Sequence, residues 1–202
     1  MVCYSVLCNV SAVSYGVAVG LCAVPGTNPV DRLAANDVIE VGLGIHAEAG
    51  QVRKINPTSV QLSVETVRHM VNKMLGTLPG ALGGEAEALP DRLGTSPGEQ
   101  VAVLLNNLGG ISELELLVVI RDLLVELQLR KVQVVRCYIG SFMTSLEMAG
   151  FSVTLLKVEG NRQNSLLPAL DFPTSVNIWR ASPLLGEGIV PKVRTYQVFC
   201  NS

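Results

Sequence analysis

His46 is the residue of this chain whose type and setting best suit chemistry. It sits in Gly42–Gly50 (GLGIHAEAG), after Gly42 and Gly44 and just before Glu48 and Gly50. Glycines there let a backbone or a ligand approach closely. A neutral imidazole on a strand-end loop can serve as base, metal ligand or nucleophile. The same residue could equally hydrogen-bond its own loop, and its pattern alone leaves both readings open. The only other histidine is His69, so a multi-histidine metal centre is excluded. It falls beside Arg68 and close to Lys73 in a helical pattern and reads as a surface residue.

A second tip, Asn106–Gly110 (NNLGG), follows an apolar run and precedes a helix, the order of a phosphate-cradling turn. It lacks the Lys and Ser/Thr of a P-loop, so a tight strand-to-helix turn is the simpler reading. Gly42 and Gly44 have no third glycine opening a helix, so they form no dinucleotide fingerprint. Ser141, Thr144 and Ser145 have no GxSxG context and no neighbouring histidine, which points to a structural turn rather than a nucleophile.

These tips need elements to carry them. Gly16–Ala23 is a short apolar run before the turn Pro25–Pro29, the pattern of a buried strand. Val38–Ile45 reads as a second strand. Val60, Val64, Val67, Val71 and Leu75 mark one face of a helix over 57–75. The Gly- and Pro-rich stretch 77–100 reads as a mobile surface loop. Val101–Leu105 is a buried strand, and Ser112 with Glu115 forms a capping box that opens a helix over 112–129. Strands follow at 131–139 and 151–158, and 180–202 reads as an irregular tail or linker. Alternating strands and helices predict an α/β fold, a layered sheet with covering helices, whose ligands would sit beyond strand carboxyl ends.

The 202 residues are 49% hydrophobic and 16% charged, which argues against disorder and allows a sizeable core. A formal charge of -2 without a basic stripe argues against nucleic-acid binding. Five scattered cysteines without a CxxC pair suit reduced thiols in a cytosolic protein. No charge precedes Asp31, yet the stretch lacks a positive n-region and is broken by Asn9, Ser11, Gly16 and Pro25. Neither a signal peptide nor a membrane span is expected.

Three segments, VGLGIHAEAG (41–50), LLNNLGGISELEL (104–116) and GSFMTSLEMAGFSVTLL (140–156), resemble the dihydroxyacetone kinase (DhaK-domain) family and come in its order. GVAVGLCAVP (16–25) and LDFPTSVNIW (170–179) extend the resemblance, which is closest to the animal triokinase/FMN cyclase branch. The resemblance implies the second subdomain of the family's substrate-binding unit over 1–179. It assigns His46 the covalent anchoring of dihydroxyacetone or glyceraldehyde as a hemiaminal, with Gly44 and Glu48 as loop neighbours in the substrate site. Ala47 stands where the family usually has Gly. Nothing matches the family's GGGSGHEP-type and KNYTGD-type segments. ATP and Mg are expected on a further domain absent from this chain, and no cofactor or metal on these residues. The resemblance thus implies either a partial ATP-dependent glycerone kinase, with FAD splitting to cyclic FMN in the animal branch, or a noncatalytic triose-binding or assembly module. As a shortened form or incomplete sequence, the isolated chain is expected to be inactive. It further implies a cytoplasmic protein that forms a homodimer or pairs with full-length kinase subunits, with no nucleic-acid or membrane partner.

Overall fold

A computed structural model describes residues 12–18 (as backbone), 37–42, 50–76, 93–145, 148–158 and 166–179. Six strands and two long helices run in the order β1 (Ala12–Ala18), β2 (Val38–Val41), β3 (Gln51–Lys54), α1 (Leu62–Leu75), β4 (Gln100–Asn107), α2 (Glu113–Leu129), β5 (Gln133–Gly140) and β6 (Gly150–Val158). One helical turn at 166–170 follows. The strands form a single sheet in the order β3-β2-β1-β6-β4-β5. The α/β reading holds, but the sheet is mixed. Only β4 and β5 pair in parallel, across the α2 connection, and every other pair is antiparallel.

Both long helices cover one face. Ile39 and Val41 of β2, Val101, Val103 and Leu105 of β4, and Phe151, Val153 and Leu155 of β6 point to it and meet Val67, Met70, Val71 and Met74 of α1 with Leu116, Ile120, Leu123 and Leu127 of α2. The alternate residues Ala102 and Val158 face the other way, onto Leu166 and Leu167. A period of two in the strands thus divides the apolar residues between two layers.

The helices also share a polar seam. Arg130, the residue capping the end of α2, sends Nη1 to the carbonyl of Gly76, the residue that ends α1, at 2.7 Å. It pairs with Glu126 at 3.1 Å while both side chains are buried, and also reaches Asn72. Arg68 meets the same Glu126 at 3.4 Å. The pairs Arg68–Glu126 and Asn72–Arg130 advance together along the chain, so the two helices run in the same direction.

Several expected boundaries move. β1 begins at Ala12, before the expected Gly16, because seven consecutive pairings from Ala12↔Leu156 to Ala18↔Gly150 place it along β6; the rest of that expected strand, 19–23, lies outside the described residues. β2 stops at Val41, where Gly42 turns to a φ of 82°. α1 starts at Leu62, since Asn56 organises a turn through Thr58 and Ser59 and Val60 is 98% exposed. β3 is absent from the sequence pattern. The end of the expected surface loop is anchored: Leu93 enters the core, and Gly98 N donates to Lys131 O at 2.7 Å. Residues 77–92 and the expected tail 180–202 lie outside the described residues. No described helix is long and apolar enough to cross a membrane.

Candidate functional site

The end of β4 is built by two adjacent asparagines that point to opposite faces. Asn107 Oδ1 accepts the N–H of Gly109 at 2.8 Å and its Nδ2 donates to Ile111 O at 2.7 Å. This Asx-type turn needs Gly109, whose φ is 126°. Leu108 N donates to Gly150 O at 3.0 Å and Gly110 N to Met148 O at 2.8 Å. Ser112 N donates to Glu115 Oε2 at 2.8 Å, and Ser112 Oγ accepts from Glu115 N at 3.3 Å. The bond from the Ser112 backbone, then the one from its hydroxyl, holds the Glu115 carboxyl below its usual range. The amides of 108, 109, 110 and 112 are therefore all engaged, and a carboxylate occupies the helix N-terminus where an anion would sit. NNLGG is a strand-to-helix turn, not a phosphate cradle.

Asn106 does the complementary work on the other face. Its Oδ1 accepts from Phe142 N at 2.8 Å and Met143 N at 2.9 Å. Its Nδ2 donates to Met143 O at 2.8 Å and Ser152 Oγ at 3.3 Å. Every hydrogen-bonding position of the amide is filled. Ser145 N adds a bond to Leu108 O at 2.9 Å. Two of the three sequence motifs, NNLGG and the segment after β5, are thereby stitched together. Ser141, Thr144 and Ser145 are exposed positions of the irregular segment that follows β5. Phe142 then stacks on Trp179 at 5.5 Å, and Tyr138 meets the same indole at 5.0 Å between ring centroids. Asp171 accepts from Tyr138 Oη at 2.6 Å and Arg136 Nε at 2.8 Å, tying 171–179 to β5. Burial, then the Asp171 hydrogen bond and charge, push the Tyr138 phenol up.

The third motif begins at β2. Val41 pairs with Gln51, so 42–50 is the connection of a β-hairpin. Glu40, with no exposed surface, accepts the N–H of Gly50 on Oε1 at 2.7 Å. His46, Gly44, Ala47 and Glu48 lie inside this connection and outside the described residues. Register places its base precisely enough to compare: Gln51, Val41, Val17, Phe151 and Asn107 stand in one row across five strands. From Val41 to Asn107 is three strand spacings of about 4.8 Å, or roughly 14 Å. The pairings make β2 antiparallel to β4, so the expectation of both tips beyond a common set of carboxyl ends, a rule of parallel sheets, gives way to two tips sharing one row and leaving it in opposite directions.

His69 is half-buried rather than a surface residue. Its Nε2 is enclosed without a hydrogen-bond partner, and burial, followed by the charges of Arg53 and Lys73, lowers its pKa to about 4. Cys137 is a fully buried free thiol whose pKa burial pushes up to about 12. Among the described residues no group of three or more His, Cys, Asp or Glu side chains could hold a metal ion. Sequence reasoning passed over Glu40 and Asn106 as separate agents. The available signal for Glu40 was a lone charge inside the apolar run Val38–Val41.

The Dak1 domain pattern matches residues 4–177. Human triokinase/FMN cyclase is 38% identical over 164 residues, 81% of this chain and 25% of that protein. The dihydroxyacetone-binding subunit DhaK of a PTS-dependent dihydroxyacetone kinase of Listeria innocua is 32% identical over 158 residues, 78% of this chain and 42% of that subunit. The dihydroxyacetone kinase of C. freundii, solved with AMP-PNP and Mg2+, superposes with a TM-score of 0.61 at 27% identity, over 92% of this chain and 29% of that one. The operon co-activator DhaQ shares the fold, with a TM-score of 0.60 at 22% identity, over 81% of this chain and 45% of that one. The chain spans about a quarter of the length of its triokinase relatives.

Proposed function

Because this chain belongs to the dihydroxyacetone kinase family through its Dak1 domain, we propose that it is the triose-holding part of such a kinase, with His46 as the covalent anchor. The carrying observation is the match over 4–177 together with a hairpin closed at Val41↔Gln51 around the histidine motif. One imidazole nitrogen of His46 would add to the carbonyl carbon of dihydroxyacetone or glyceraldehyde. The carbonyl π electrons move to oxygen, which takes up a proton, and the ring N–H proton leaves; the product is a hemiaminal. A substrate without a carbonyl, such as glycerol, cannot be held this way. Protonated imidazole has no free lone pair, so acid releases the adduct. Gly44 and Glu48 flank the anchor in this reading.

In this reading ATP and Mg are held elsewhere and no step is routed through either; it is supported by the amides of 109, 110 and 112 at the α2 N-terminus, which bond within the chain. We extend the triose-binding unit over 1–179, with 180–202 as a linker, in a cytosolic protein that pairs with itself or with full-length kinase subunits.

A second reading, a noncatalytic binding or assembly module, is favoured by the Listeria relative, which is named as a dihydroxyacetone-binding subunit. The test is to supply ATP, Mg2+ and dihydroxyacetone to the 202-residue chain and titrate the triose by NMR with wild type and His46→Ala. The expected result is no phosphorylated product and His46 signals that shift in wild type alone. Sustained turnover lost in His46→Ala would make the chain a complete kinase. A folded chain whose His46 signals ignore the triose would leave the assembly reading.

A further inference from the structure

We propose that the outward face of α2 is the surface on which two copies of this chain pair, the helices packing antiparallel about a two-fold axis at Arg121. This surface serves the self-pairing proposed above and does not rest on the triose anchor. α2 turns most of its charges inward. Asp122, Glu126 and Arg130 are all buried, and the last two meet Arg68, Asn72 and Gly76 of the α1 side. Leu116, Ile120, Leu123 and Leu127 fill the core below. The side left toward water is therefore apolar where a surface helix is ordinarily charged. Leu114 is 73% exposed, Leu117, Val118 and Leu129 are exposed with it, and Val125 is half-buried on the same face. A contiguous apolar patch of this kind marks a contact surface.

Spacing and charge select the occupant. Leu114, Val118, Arg121, Val125 and Gln128 recur at intervals of four and three, the seam spacing of one helix laid along another. Arg121 stands at mid-seam with its charge met by its own Asp122 at 2.7 Å, so two copies meet there without bare cations facing each other. The ends of the face differ in sign. Glu113 and Glu115 open the helix and Lys131 follows its end, all three exposed. A parallel pair would set acid on acid, cation on cation, and helix dipole beside helix dipole. An antiparallel pair sets Glu113 of one copy toward Lys131 of the other. In that register Leu114 lies opposite Gln128 and Leu129, and Leu117 opposite Val125. At about 80 Å² of apolar surface apiece, the apolar residues of the face offer about 400 Å² per copy. With an apolar share of about three-fifths, the pair buries about 1,300 Å², within the range of specific association.

The test is sedimentation equilibrium of the 202-residue chain across the micromolar range, where wild type is expected to form a reversible dimer. Leu117→Gln keeps a good helix former at an exposed position. It is expected to raise the dissociation constant by about thirtyfold or more, because a two-fold interface loses each contact twice. Glu113→Lys and Lys131→Glu are each expected to raise it by about tenfold, and the double reversal to return it to within about threefold of wild type. Phe172→Ser removes an exposed apolar residue beside Asp171, which is tied to the opposite face of the sheet, and should leave association unchanged. Urea unfolding of dilute Leu117→Gln checks that the variant is folded; if it is not, the charge reversals decide alone.

A dimer indifferent to Leu117→Gln, or charge reversals that their combination does not repair, overturns the α2 surface while self-pairing stands. So does a dimer lost in Phe172→Ser alone. A chain that stays monomeric throughout overturns both, and leaves the face to a partner of another kind. The triose reading has its own titration and stands or falls apart from these results.

Discussion

Protonation of His69 should loosen the helix layer in mild acid. In the folded chain its pKa is lowered to about 4, by burial first and then by Arg53 on β3 and Lys73 on α1. Unfolded, the ring returns to the ordinary histidine value of about 6.5. Between those values the unfolded chain binds the proton more readily than the folded one. Stability is therefore fully present above about pH 6.5 and is lost progressively as pH falls toward 4. Linkage between these two pKa values gives about 2 kcal/mol lost between pH 7 and pH 5. The ring is half within reach of solvent, which screens the charge and reduces the expected loss to about 1 kcal/mol.

The assay is urea unfolding of wild type and His69→Gln at pH 7 and pH 5. His46 and the carboxylates titrate in both proteins, so the difference of differences isolates His69. The wild type should lose about 1 kcal/mol more than the variant over this interval. The sign is as informative as the size, because a histidine stabilised by an anionic neighbour would give the opposite trend. Equal pH dependence in the two proteins would refute the enclosure of Nε2. A wild type that gains stability in acid relative to His69→Gln would refute the cationic surroundings.

Two further predictions test the joints of the fold. Asn106→Ala removes four hydrogen bonds at once and should cost about 2–4 kcal/mol in urea unfolding. Freed from Asn106, Phe142 should slacken against Trp179, the only tryptophan, and the native fluorescence should shift to the red; unchanged emission would contradict the clamp. Arg130→Met leaves a buried Glu126 with the more distant, partly exposed Arg68 in place of its buried partner and should cost about 3–5 kcal/mol, most of it recovered in the double variant with Glu126→Leu. A cycle with no coupling between the two sites would show that the seam between α1 and α2 is not held by this pair.

What the sequence disclosed follows from which forces are local. The α2 start was legible because Ser112 and Glu115 cap each other within one turn, and β6 because its apolar residues follow a sheet period over nine residues. β3 was invisible because Gln51, Val52, Arg53 and Lys54 form a short edge strand with little to bury. Its existence is decided by pairing with β2, not by its own pattern. Asn106 and Asn107 read as loop residues by type, yet both belong to β4, since their amide groups hydrogen-bond backbone outside the ladder. His69 read as exposed beside Arg68 and Lys73, yet tertiary packing encloses its Nε2 and brings the Arg53 charge of β3 to bear on it. Of the candidate site, the histidine motif was legible as a motif, while the buried carboxylate that ties down its exit was not, because that bond spans strand register.

Strand direction also sets how the bases of the two glycine-rich motifs lie in the sheet. Val41 and Asn107 stand in one row, roughly 14 Å apart at the usual strand spacing, on strands that run oppositely. The chain leaves β4 past one end of the sheet and leaves β2 back along β1. The NNLGG amides are committed to Gly150, Asn107 and Met148. The glycine-rich turn therefore serves the architecture: it launches α2 and, through Asn106, anchors the segment that seats Phe142 on Trp179. Asn107→Ala should accordingly lower stability in urea unfolding, because the turn that launches α2 loses both side-chain bonds of Asn107; an unchanged unfolding midpoint would contradict this role.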